Sequence, residues 1–131
     1  MSTEKIAFLY SLIKDKDGKK LPVLQYELQK VPVTMSITLK VSMVGLVQDE
    51  HYKISANVFS PEGENLTGTS DWLEFKANDS KETCEGIAVS LEAKFDGVEI
   101  TKLGNYSMKA TLKRGDTELD CATCYFNMRR S

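Results

Sequence analysis

The sequence predicts a single all-β domain, an antiparallel β-sandwich of seven or eight strands. Three observations carry that expectation. Apolar residues recur at period two in run after run, many of them β-branched or aromatic. Turn signals built from Gly, Pro, Asp and Asn separate these runs at intervals of about ten residues. No stretch is at once long, periodic at the helical repeat and capped.

A chain of 131 residues, 41% hydrophobic and 27% charged, suits one domain with one core, spanning residues 1–131. Its formal net charge of −2 provides no overall field to draw in nucleic acid or an anionic membrane, so neither is an expected partner. The N-terminal apolar run, residues 6–13, is too short to span a bilayer and is followed by no small-residue cleavage pattern. With three cysteines, an odd number, and no export signal, the expected setting is a reduced cytoplasm with free thiols.

Taken in order, residues 6–13 and 21–28 flank KDKDGKK, whose Asp17-Gly18 is a hairpin signal. The two runs read as a hairpin, although LQYEL leaves a helical alternative for the second arm. In VTMSITLKVSM, residues 33–43, Val33, Met35, Ile37, Leu39, Val41 and Met43 alternate against Thr34, Ser36, Thr38, Lys40 and Ser42. This is the clearest strand, with one face for a core and one for water. Tyr52, Ile54, Ala56 and Val58 form the next apolar face, ended by SPEGE, where Pro61 presets a turn and Gly63 relaxes it. DWLEF places the single tryptophan, Trp72, by a short strand, and ANDSKE after it reads as a loop. Ile87, Val89, Leu91, Ala93 and Phe95 make a further strand that Asp96-Gly97 is expected to break. Tyr106, Met108, Ala110 and Leu112 then face inward, opposed by Ser107, Lys109, Thr111 and Lys113.

The last segment, KRGDTELDCATCYF, holds two motifs that tempt a functional reading. RGD would suit an integrin outside a cell, but a two-residue Gly-Asp loop accounts for the same residues, pairing Lys113 with Glu118 and Leu112 with Leu119. CATC would suit zinc if its backbone turned, yet on a strand positions i and i+3 point to opposite faces. Cys84 and His51 are the remaining soft ligands, and neither has a matching spacing. Leu119 and Cys121 share one parity while Cys124, Phe126 and Met128 share the other. A β-bulge near Ala122 or Thr123 would bring all five to one face.

Two of these segments resemble immunoglobulin-like domains. ISANVFSPEGENL is similar to their strand and turn of the form D-P-x-G-x-x-L, and KLGNYSMKATLKRGDTEL resembles their penultimate hairpin with its G-x-Y opening. The resemblance implies that Tyr106 is a tyrosine-corner residue, its ring in the core and its hydroxyl bonded to nearby backbone. Met108 stands at the second cysteine position of antibody domains, and Trp72 comes after the second turn, too late for their core tryptophan. The order of elements resembles small uncharacterised bacterial immunoglobulin-like β-sandwich proteins, which implies an immunoglobulin-like fold and no particular activity.

No catalytic, cofactor-binding or metal residue is assigned, and the chain is not expected to be an enzyme. His51 in QDEHY reads as part of a solvated turn, and KDKDGKK lacks the closing Glu of a calcium loop. The sequons at Asn65, Asn78 and Asn105 read as turn residues that happen to precede Ser or Thr. The leading expectation is a non-enzymatic cytoplasmic module that binds another, unidentified protein through a sheet face or an edge strand. An edge strand would also serve to pair two copies as a homodimer. The alternative is small-molecule or carbohydrate binding through loops near Trp72 and Tyr52. A hydrolase or metal enzyme around His51 ranks last.

Overall fold

The structure, a computed structural model, describes residues 3–68, 72–78 and 86–131. The ANDSKE loop from Asp79 onward, Cys84 and the end of the Asn78 sequon lie outside the described residues. Nine strands are present among the described residues: β1 (Lys5–Lys14), β2 (Lys20–Val23), β3 (Gln25–Leu28), β4 (Val33–Leu46), β5 (His51–Phe59), β6 (Leu73–Lys76), β7 (Ile87–Ile100), β8 (Gly104–Arg114) and β9 (Thr117–Arg130). They form two sheets, ordered β2-β1-β4-β7 and β3-β9-β8-β5-β6. All pairings are antiparallel except β3 with β9. The run β9-β8-β5 matches the G-F-C sheet of an immunoglobulin-like sandwich, with β6 beside it in the C′ place.

The period-two faces fill the space between the sheets. Ile37, Leu39 and Val41 of β4, Ile54, Ala56 and Val58 of β5, and Tyr106, Met108, Ala110 and Leu112 of β8 are all buried, while Met35, Val89 and Leu91 pack partly buried against them. At the β9 end, Phe126 stacks on Tyr106 with centroids 5.8 Å apart and meets Tyr26 of β3 edge-on at 5.4 Å. The Tyr106 hydroxyl donates to the Lys102 carbonyl at 2.7 Å, which is the tyrosine corner the G-x-Y pattern implied. The SPEGE turn closes as expected: Gly63 N and the Ser60 carbonyl are 2.9 Å apart, and Gly63 has φ of 89°.

Several of these expectations need correction. The second arm of the first hairpin is not one strand. It divides at the exposed Leu24, β2 staying beside β1 and β3 crossing to run parallel to β9, which accounts for nine strands rather than seven or eight. Its Pro22 fits because β2 is an edge strand. Asp96-Gly97 does not end its strand. Gly97 has φ of 70°, and the register against β4 shifts between Met35 and Ile37, so the pair forms a bulge that lets β7 continue with Val98 and Ile100 buried.

The bulge in the last strand lies earlier than expected. The register is regular from Asp120 to Met128 and shifts between Leu112 and Lys113, so Leu119 is the extra residue. Lys113 does face Glu118 across the Gly-Asp loop, but Leu112 faces Asp120 rather than Leu119. Leu119 and Cys124 pack against the core, whereas Cys121 is exposed on the outer face. Gly115 has φ of 61° at the first central position of this loop, as a type II′ turn requires.

Candidate functional site

At one side β7 is the edge of the first sheet and the short β6 is the edge of the second. No described strand pairs with β7 on the side away from β4. Between these edges lies a groove of about 260 Å³, lined by Val41, Ile54, Ala56, Thr67, Leu73, Leu91, Glu92, Ala93 and Phe95. Its walls are mostly apolar, with Thr67 and Glu92 the polar exceptions, and Leu73 is 49% exposed at its rim. Here apolar side chains of both sheets line one space.

The other face of β7 is charged. Glu92, Lys94 and Asp96 stand on the solvent side, where Lys20 Nζ meets Glu92 at 2.6 Å and Lys94 Nζ meets Asp96 at 3.6 Å. The Lys20 ammonium holds the Glu92 carboxyl below the usual carboxylate range, and Ser36, donating at 2.7 Å, followed by Lys94, does the same for Asp96. Among the described residues the strand therefore offers an unpaired backbone edge with an apolar side and a charged side. That combination suits an added extended segment.

The two residues named in the alternative reading are separated by the sheet. Tyr52 is 1% exposed, stacks on Phe75 at 5.7 Å, and its hydroxyl donates to Glu4 at 2.9 Å while accepting from Val47 N at 2.9 Å. Burial pushes its phenol above the usual range. Trp72 is 39% exposed, with Lys113 Nζ 4.6 Å from its ring centroid, a cation held over the aromatic face. So Trp72 is accessible, whereas Tyr52 belongs to the interior.

His51 is exposed at the start of β5, opposite Lys76. The preceding Asp49, at φ of 67°, makes the turn and lies 3.8 Å from Lys76. Among the described residues no three His, Cys, Asp or Glu side chains converge as metal ligands. Cys121 and Cys124 are free thiols, and burial pushes the Cys124 thiol up to about 11.

The arginine of RGD has a partner that sequence spacing concealed. Arg114 Nη1 lies 2.9 Å from Oε2 of Glu4, whose side chain is 3% exposed, and the Tyr52 hydroxyl donates to the same oxygen. Nearby, Ile6 N donates to Asp120 at 2.8 Å, so β1 and the residue just before it are tied to the β8–β9 hairpin by two carboxylates. The groups are 110 residues apart in sequence, which is why no local pattern announced the pair.

No model of a known protein family matches the chain, and no curated protein matches its sequence. Among solved structures, the chain is similar to part of a β-glucuronidase from Bacteroides uniformis, with a TM-score of 0.59 at 12% identity over 93% of this chain and 14% of that one. A candidate β-galactosidase from Bacteroides fragilis gives 0.51 at 11% identity over 93% and 17%. The β-glucuronidase 2 of Bacteroides uniformis gives 0.50 at 15% identity over 93% and 14%. The chain thus spans a small part of each of these bacterial proteins. The likeness shows a shared β-sandwich fold and nothing finer.

Proposed function

We propose that this chain is a non-catalytic binding module that takes an extended segment of another protein along the outer edge of β7. The segment would extend the four-stranded sheet through main-chain hydrogen bonds and set alternate side chains into the groove. The observation that carries this reading is the coincidence of a long edge, unpaired among the described strands, with an apolar groove beneath its inner face. A groove of about 260 Å³ with mostly apolar walls gives room for apolar side chains of such a segment. A cytoplasmic setting belongs to the proposal, in keeping with the free thiols of Cys121 and Cys124. The enzymes similar in fold bear on neither substrate nor activity here, since the chain corresponds to 14–17% of their length.

The test is affinity capture from the native host followed by mass spectrometry. Leu91→Asp and Phe95→Asp put a carboxylate into the groove, and Thr123→Asp, exposed on the other sheet, serves as control. A partner held by the wild type and by T123D but lost from L91D and F95D is the expected result. No partner at all, or one that L91D and F95D retain, would refute the reading.

A further inference from the structure

The outer edge of β7, which no described strand pairs, is complementary to itself. We infer that β7 also pairs antiparallel with β7 of a second copy of this chain, about a two-fold axis through Ala93; this rests on the reading of β7 as an open docking edge.

Residues directly opposite each other in an antiparallel pair share a face. A two-fold axis normal to the sheet therefore passes through a residue position, and few positions are available. β7 is regular against β4 from Val89 to Phe95, and the bulge at Asp96-Gly97 ends that run. An axis at Glu92 sets Glu92 opposite itself, and one at Lys94 sets Lys94 opposite itself and Glu92 opposite Asp96, so both bring like charges together. An axis at Leu91 brings no opposite charges face to face. An axis at Ala93 sets each Glu92 opposite Lys94 of the second copy on the charged face, and each Leu91 opposite Phe95 of the second copy on the groove face. Within the regular run, this is the register that satisfies both faces.

The pairing is isologous and closes on itself, which is the commonest arrangement of soluble dimers. It joins the two β2-β1-β4-β7 sheets into one continuous sheet and turns the two grooves toward each other. The present partners of Glu92 and Lys94 do not oppose it. Lys20–Glu92 and Lys94–Asp96 are exposed pairs, and such pairs exchange partners at little cost. The edge also retains features that keep it from pairing without limit, namely the bulge and the charge on its outer face. A closed dimer consumes the edge, so no further copy can add.

Analytical ultracentrifugation over a dilution series, with disulfide mapping, tests the register. The wild type is expected to dimerise. Glu92→Lys and Lys94→Glu should each weaken the dimer by about tenfold, and the double variant E92K/K94E should restore it. Ala93→Cys should form a disulfide between copies under mild oxidation, mapped by mass spectrometry to residue 93 on both, since opposed residues bring their Cα atoms within bridging distance. A wild type that is monomeric at every soluble concentration overturns the inference. So does a dimer indifferent to both charge reversals, or one in which A93C does not cross-link to itself. A monomeric wild type whose captured partner is lost in L91D would leave the docking edge standing while overturning the self-pairing.

Discussion

Replacing Arg114 by Met removes the cation facing Glu4 and keeps much of the side chain's apolar length. Glu4 is 3% exposed at its side chain and receives Arg114 Nη1 and the Tyr52 hydroxyl, each at 2.9 Å, on the same oxygen. A hydrogen bond to a charged group contributes ~1.5–3 kcal/mol, and stranding a buried charge costs more. The Arg114 side chain is 44% exposed, so water takes up part of its place and the lower end applies, about 1.5 kcal/mol. For a chain of this length that is a fall in Tm of about 5 °C. Urea denaturation of the wild type, R114M, Glu4→Gln and the double variant measures the coupling. The double variant should cost about 1 kcal/mol less than the sum of the singles. Costs that add within about 0.4 kcal/mol would refute the idea that this pair ties the N-terminal strand to the RGD turn.

Three further outcomes follow from the same geometry. Tyr106→Phe keeps the buried ring and deletes the bond to the Lys102 carbonyl, so urea titration should show a loss of about 1 kcal/mol. Gly45→Ala should cost clearly more than Gly18→Ala: both glycines have positive φ, but a Cβ on Gly45 would stand 2.2 Å from the Thr3 carbonyl oxygen and one on Gly18 meets nothing. Stability should decline in alkali. Burial raises the Cys124 thiol from 9.0 to about 11 and lifts the Tyr52 and Tyr106 phenols, so the unfolded chain loses these protons first. The contribution is complete below pH 9 and fades as the pH rises toward about 11, so Cys124→Ala should flatten part of that slope, and stability rising over this window would contradict the assignment.

Much of the sandwich was legible because its central strands bury one face and wet the other. Ile37, Leu39 and Val41, or Tyr106, Met108 and Ala110, declare their inward face through period two alone. The misreadings cluster where a strand changes face without ending. Asp96-Gly97 has the composition of a turn, and a glycine at positive φ serves a bulge as readily as a turn. Gly45, at φ of 72°, does the same near the end of β4, placing Val44 outside and Leu46 fully inside. The pairing of β3 with β9 depends on a partner about a hundred residues away, which no local pattern encodes. For the same reason the edge was anticipated only as a kind of surface: that β7 would be the edge follows from sheet order, not from its own residues. Trp72, by contrast, stands out in the sequence by type alone, as the single tryptophan, and in the structure it is partly exposed beside Lys113.

Docking along β7 requires that its outer edge be free within one chain. Amide hydrogen exchange followed by NMR, on a sample dilute enough to be monomeric, answers this residue by residue. From Val89 to Phe95, amides directed at β4 should exchange slowly and those between them quickly, because alternate residues of an edge strand point away from the sheet. Slow exchange at every position of that run, unchanged on further dilution, would mean that the chain covers this edge itself, and would contradict the proposal that β7 receives a partner.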